Sequence, residues 1–303
     1  MWGNREGSEG KGKLRLGAVA SVAAALMVGA GVVPLTAGSA AAAVTAGSVP
    51  ARHDFGNDGI GDVVTMDTAG RLSIVPGDGH GGVDSAHKVV ATGWPAKSYP
   101  IPFGDLNGDG CNDLLIRNAV GGLYRYLGTC GQAITPDSPR IALGTGFNQY
   151  STLTSPGDLD GDGLADLLAR DTAGTMWMYP NDGTGLAPGS REATGQGGYT
   201  RIVGAGDLNG DGIGDVVAQD ATGNLWRLLG NGKGGLNPRA RIGTGLGSYN
   251  VIAVPGDLTG DGRPDLIGRD AAGRLFRWTG TANGLVTGRT QIATGWQSYL
   301  YVV

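Results

Sequence analysis

Glutamate is nearly missing from this chain: after the first 43 residues the only one is Glu192. Acid itself is not scarce, because 16 of the 24 aspartates fall into five short segments. Acidity is therefore a property of discrete sites and not of a solvated face. Histidine is limited to His53, His80 and His87 and cysteine to Cys111 and Cys130, and no Gly-x-Ser-x-Gly elbow occurs, so nucleophilic catalysis lacks its usual groups. His53, beside Asp54, is read as an ordinary surface histidine in preference to a ligand or base. No stretch after residue 43 repeats apolar residues at i, i+3, i+4 and i+7, which argues against amphipathic helices. Basic residues are also outnumbered there, 19 against 25 acidic for a net charge of −6, the wrong sign for a nucleic-acid partner.

Residues 1–43 differ in kind from the rest. Lys11, Lys13 and Arg15 precede an apolar stretch from Leu16 to Leu35 and a small-residue run ending Ala41-Ala42-Ala43. That order predicts a secretory leader cleaved after Ala43, leaving no membrane anchor in the mature chain. Secretion, to the medium or the cell wall, follows as the expected localisation. Residues 44–53 read as a short linker and residues 54–303 as one repeat domain.

That domain writes one nine-residue acidic loop five times: DFGNDGIGD from Asp54, DLNGDGCND from Asp105, DLDGDGLAD from Asp158, DLNGDGIGD from Asp207 and DLTGDGRPD from Asp257. The spacings are 51, 53, 49 and 50 residues. A period near fifty marks an array of supersecondary units, each too small to bury its apolar face alone. Asp recurs at loop positions 1, 5 and 9 and Gly at position 6. Carboxylates this close repel, by about 4 kcal/mol for a pair 4 Å apart near a surface. A hard cation relieves the repulsion, and Ca²⁺ suits because it accepts six to eight oxygens with tolerant geometry. The competing explanation is that Asp, Asn and Gly are only turn formers bonding to their own backbone. An EF-hand is excluded, since its twelfth loop residue is a bidentate Glu and here that position holds Thr65, Ile116, Ala169, Ala218 or Gly268.

Gly and Pro make up 73 of 303 residues and fall at repeated turn positions, so the chain reads as many short strands. The third unit shows four: Tyr150–Ser155, Asp166–Arg170, Thr175–Tyr179 and Ser190–Thr194. Four-stranded units repeated radially give an all-β propeller. Tyr150, Tyr199 and Tyr249 each precede a loop by eight residues, and Tyr299 has no loop after it, whereas the first loop has no Tyr-led strand before it. Five blades are expected, with Tyr299–Val303 supplying the missing strand of the first. If Val120-Gly121 is a two-residue turn, facing residues sum to 241, which pairs Cys111 with Cys130 and predicts a disulfide in an exported chain.

The loops and their period resemble FG-GAP or VCBS repeats, the blades of integrin-alpha-type propellers in bacterial secreted form. The resemblance covers residues 54–303 and implies that each loop joins the first and second strands of a blade and binds Ca²⁺, for up to five sites. It assigns as side-chain ligands Asp54, Asp58 and Asp62; Asp105, Asn107, Asp109 and Asp113; Asp158, Asp160, Asp162 and Asp166; Asp207, Asn209, Asp211 and Asp215; and Asp257, Thr259, Asp261 and Asp265. The first loop departs from the pattern, with Gly56 at position 3.

Function is expected to be non-catalytic binding of an extracellular glycan, cell wall or protein. The alternative is a secreted hydrolase or an accessory module of one. Trp94, Phe147, Trp296 and the tyrosines near them read first as packing between blades, and alternatively as sugar-stacking platforms that Trp94 and Trp296 would expose.

Overall fold

A computed structural model describes residues 53–303 apart from 108, 194 and 195. The leader, its cleavage point and all of the linker but His53 lie outside the described residues. Strands dominate. The first blade contains β1 (Val63–Asp67), β2 (Leu72–Val75) and β3 (Val89–Ala91). The second contains β4 (Tyr99–Pro102), β5 (Leu114–Arg117), β6 (Leu123–Tyr126) and β7 (Arg140–Gly144). The third is β8 (Tyr150–Gly157), β9 (Asp166–Asp171), β10 (Met176–Tyr179) and β11 (Ser190–Ala193). The fourth is β12 (Tyr199–Gly206), β13 (Asp215–Asp220), β14 (Leu225–Leu228) and β15 (Ala240–Gly243), and the fifth β16 (Tyr249–Ala253), β17 (Leu266–Asp270), β18 (Leu275–Gly280) and β19 (Val286–Ala293). The last strand, β20 (Tyr299–Val302), joins the first blade beside β1. Five antiparallel four-stranded sheets result, a β-propeller of five blades closed by the C-terminal strand.

Burial follows strand order within a blade. The second strands, such as β9 and β13, are buried almost throughout, because a neighbouring blade covers each of their faces. The fourth strands of the second to fifth blades are largely exposed, and they carry Arg140, Arg191, Arg241 and Arg289, charges that discourage pairing with another sheet. Five apolar clusters form the core, each shared by two adjacent blades and one of them joining the fifth to the first through Ile267, Leu275, Val63 and Val302. Near the centre backbones touch: a Cβ on Gly204 of β12 would stand 1.9 Å from the Ser155 carbonyl of β8, and the Gly204 N–H instead reaches Thr154 Oγ1 at 2.8 Å. Only glycine permits that approach.

Each hairpin between second and third strands is clamped by one residue, Asp67, Asn118, Asp171, Asp220 or Asp270, whose Oδ1 accepts backbone N–H groups two and four residues on. Among the described residues no helix is long and apolar enough to cross a membrane.

Candidate metal centres

Four of the acidic loops connect the first strand of a blade to its second, the first loop leads into β1 beside the C-terminal β20, and all five share one hydrogen-bond plan. The position-1 carboxylate faces back into its own loop, so that Asp54, Asp105, Asp158, Asp207 and Asp257 each accept the N–H of the position-6 glycine at 2.5–2.8 Å. The position-5 carboxylates, Asp58, Asp109, Asp162, Asp211 and Asp261, accept the N–H two residues on. The turn-former explanation is thus realised in every loop, and it leaves lone pairs on each oxygen for a cation.

Position 9 does something else. Asp62, Asp113, Asp166, Asp215 and Asp265 are at most 2% exposed. One oxygen accepts the N–H of loop position 2 and the other the N–H fifteen residues on, just past the third strand: Leu159 and Asn181 for Asp166, Leu208 and Gly230 for Asp215. One carboxylate therefore holds three segments of a blade together. Burial pushes these carboxyls up, to about 7 for Asp62, Asp166 and Asp215 and about 6 for Asp113, and raises Asp265 as well. Backbone N–H groups pull each of them partway down, while neighbouring loop aspartates push upward. Carboxyls so placed gain from a cation.

The third loop is the best formed. One oxygen each from Asp158, Asp160 and Asp166 lies within 4.8 Å of the others, the one such group of three or more His, Cys, Asp or Glu among the described residues. Oxygens sharing one Ca²⁺ at about 2.3–2.6 Å lie at most about 5 Å apart, so the donor set and spacing fit that ion. Asp162 stands beside them, its carboxyl raised by burial and by Asp160 and Asp158. In the second and fourth loops Asn107 and Asn209 instead donate Nδ2 to Asp109 and Asp211 at 2.9 Å, and Thr259 donates to Asp257 at 3.1 Å. The first loop has only Asp54, Asp58 and Asp62, with Gly56 where a fourth ligand would stand.

Neighbouring loops are also wired together, which the sequence analysis missed. Loop position 8 reaches back to the position-1 carbonyl of the preceding loop: Gly214 N–H to Asp158 O at 2.5 Å, Gly61 N–H to Asp257 O at 2.7 Å and the Asn112 side chain to Asp54 O at 2.9 Å. A matching set of bonds lies where one blade passes to the next. There Arg117, Arg170, Gln219 and Arg269 of the second strands bind carbonyls of Phe147, Gln196, Leu246 and Trp296. The signal in the sequence was a long polar side chain at loop position 13.

Two expectations need correction, and the choice between packing and sugar stacking for the aromatics falls to packing. Cys111 and Cys130 do form a disulfide, but β5 and β6 pair with numbers summing to 240, as in Leu115 with Arg125. The hairpin closes between Asn118 and Gly122 around three residues, so the two cysteines meet in loops beyond the ends of the strands. His53 is buried at 5% exposure, not at the surface, and its carbonyl accepts the Asp62 N–H. Trp94 and Trp296, 4% and 3% exposed, are wedged between blades and offer no platform to a sugar.

Residues 158–218 and 207–268, from the start of the third acidic loop to just past the fifth, match the FG-GAP-like repeat. The chain carries FG-GAP-like repeats. No curated protein matches it. Among solved structures, this FG-GAP-like chain is similar to a lectin of Agrocybe aegerita described as recognising non-reducing terminal N-acetylglucosamine (15% identity, TM-score 0.42, 80% of each chain). It is similar too to a lectin of Burkholderia pseudomallei (15% identity, TM-score 0.44, 76% of this chain and 69% of that one). A luciferin-regenerating enzyme overlaps comparably (10% identity, TM-score 0.40, 80% and 78%). Overlaps this loose carry no function from any of the three to the FG-GAP-like chain.

Proposed function

We propose that the protein is a secreted, non-catalytic propeller whose acidic loops bind Ca²⁺ and whose body is a binding module for an extracellular glycan, cell wall or protein. The convergence of Asp158, Asp160 and Asp166 oxygens in the third loop carries this reading. Ca²⁺ there would neutralise clustered carboxylates and fix the loop that joins two strands. Repetition supports a supporting role over a catalytic one: five near-equivalent aspartate turns brace five blades, whereas enzymes concentrate their perturbed groups in one odd site. The disulfide supports an oxidising compartment.

Calcium at extracellular modules binds at about 10⁻⁴ to 10⁻³ M, so millimolar Ca²⁺ adds on the order of 1 kcal/mol per filled site. For a domain of this size that raises the melting temperature by about 2–4 °C per site. Calorimetric melting with Ca²⁺ and with chelator tests it. Asp160→Ala and Asp162→Ala should each shrink the difference, and a melting temperature indifferent to chelation in the native protein would reduce the loops to turns.

A further inference from the structure

The fifth blade has a cavity of about 380 Å³ that the metal loops do not use, lined by Ser248, Tyr249, Asp270, Arg274, Arg289 and Gln291 around Phe276. Its size falls within the range of small-molecule sites, about 300–1,000 Å³. Phe276 is its apolar floor, packed into the cluster shared with the fourth blade. Two guanidinium groups flank that ring, Arg289 at 4.8 Å and Arg274 at 5.7 Å from its centroid. Arg274 is neutralised by Asp270 at 2.6 Å. Arg289 is not: its Nη1 donates to the Tyr249 hydroxyl at 3.2 Å, and it makes no ion pair among the described residues.

An exposed arginine is ordinarily a solvated, mobile cation. Arg289 is instead held by a ring and a hydroxyl, with most of its five donors uncommitted, so binding an anion there would cost little ordering entropy. Its geometry matches carboxylate and phosphate oxygens, which it can grip with two parallel bonds.

The other repeats hold parts of this arrangement. In the fourth blade Arg239 donates to the Tyr199 hydroxyl at 3.2 Å and lies 4.2 Å from the Trp226 ring, but Asn224 stands where Arg274 does. In the first, Arg71 pairs with Asp67 at 2.6 Å, but the ring position holds Ser73. The fifth blade alone unites both arginines with an aromatic floor.

We propose that the cavity between Arg274 and Arg289 binds the anionic group, carboxylate or phosphate, of an extracellular glycan. The proposal rests on the binding-module reading and names its site. The Tyr249 and Ser248 hydroxyls and the Gln291 amide supply the donors and acceptors that sugar hydroxyls require.

Isothermal titration of the purified protein with a galacturonic-acid trimer, a glycerol-phosphate oligomer and maltotriose tests it. At least one anionic oligomer should bind, and which one does identifies the group. Maltotriose should not bind, and affinity should fall as salt rises. Arg289→Gln should weaken binding at least tenfold and Arg239→Gln should leave it unchanged. Failure of both anionic oligomers, equal binding of maltotriose, or an unaltered Arg289→Gln variant would overturn the proposal. Melting with Ca²⁺ and chelator on the same samples separates the two readings, since a protein that gains stability from Ca²⁺ and binds no oligomer retains its metal sites and loses only this one.

Discussion

Gly214 donates its backbone N–H to the carbonyl oxygen of Asp158 at 2.5 Å, so the fourth acidic loop is anchored on the first residue of the third. Anything that fixes the Asp158 backbone fixes a point in the next blade as well. The bond also explains the residue: a Cβ on Gly214 would stand 2.5 Å from the Pro156 carbonyl, a contact that backbone cannot yield.

Gly214→Ala should therefore cost about 1–3 kcal/mol, the range of an overpacked site, and should blunt the gain from Ca²⁺ at both loops. Gly210, in the same loop, has nothing within 4 Å of its would-be Cβ and pays only for a positive φ of 81°. Gly210→Ala should lose about 1 kcal/mol and keep its calcium response. Calorimetric melting of the two variants distinguishes contact from backbone strain.

How much of this could be read from residues alone depends on whether a feature recurs at a fixed offset. Loop period, strand count and closure were legible because Tyr150, Tyr199, Tyr249 and Tyr299 keep one register and the aspartates another. The hairpin of the second blade was not, because Gly121 adopts a left-handed φ of 87° and turns a two-residue connection into three. Asp171 and Asp220 were in plain view, yet a strand-ending aspartate that clamps a hairpin looks no different from a metal ligand until its partners are seen. Nor does sequence tell that Asp160 turns its oxygen toward Asp158 while Asn107 turns its nitrogen toward Asp109.

The disulfide ties the second acidic loop to the connection between β6 and β7. Cys111 is position 7 of the second loop, between Asp109 and Asp113, and Cys130 lies 19 residues on. Opening a loop of that length should cost about 3 kcal/mol. Cys111→Ser with Cys130→Ser should be less stable by that amount in Ca²⁺ and should lose calcium affinity at the second loop, measured by titration, while the third loop keeps its own.

Acid should weaken the hairpins. Asp220 accepts side-chain bonds from Thr222 Oγ1 at 2.7 Å, Asn224 Nδ2 at 3.0 Å and Trp226 Nε1 at 2.9 Å, and these hold its carboxyl well below the usual carboxylate range. A carboxyl depressed in the folded state contributes stability that is present above its unfolded pKa, about 4, and is lost as the pH falls through the folded value. Asp220→Asn should thus melt below the native protein at pH 5–7, with the gap closing as the pH drops below about 4. A gap constant across that range would mean that the charge on Asp220 does not matter.

The ring closes through a strand of four residues. Val64 and Val303 exchange backbone bonds at 2.9 Å in each direction, Thr65 pairs with Val302, and the Tyr301 ring meets Tyr99 of the second blade edge-on at 4.9 Å. Without residues 299–303, β1, whose five residues are all buried, would present an unpaired edge at the centre of the molecule. Such an edge templates pairing with another chain. Deleting residues 299–303 should lower the melting temperature and shift the protein to larger species in size-exclusion chromatography. Val302→Asp, at a position 3% exposed, should do the same with the strand still present, because an unpaired buried charge is as disruptive as the missing strand. Unchanged size and melting in both variants would mean that the four contiguous blades hold the ring without this closure.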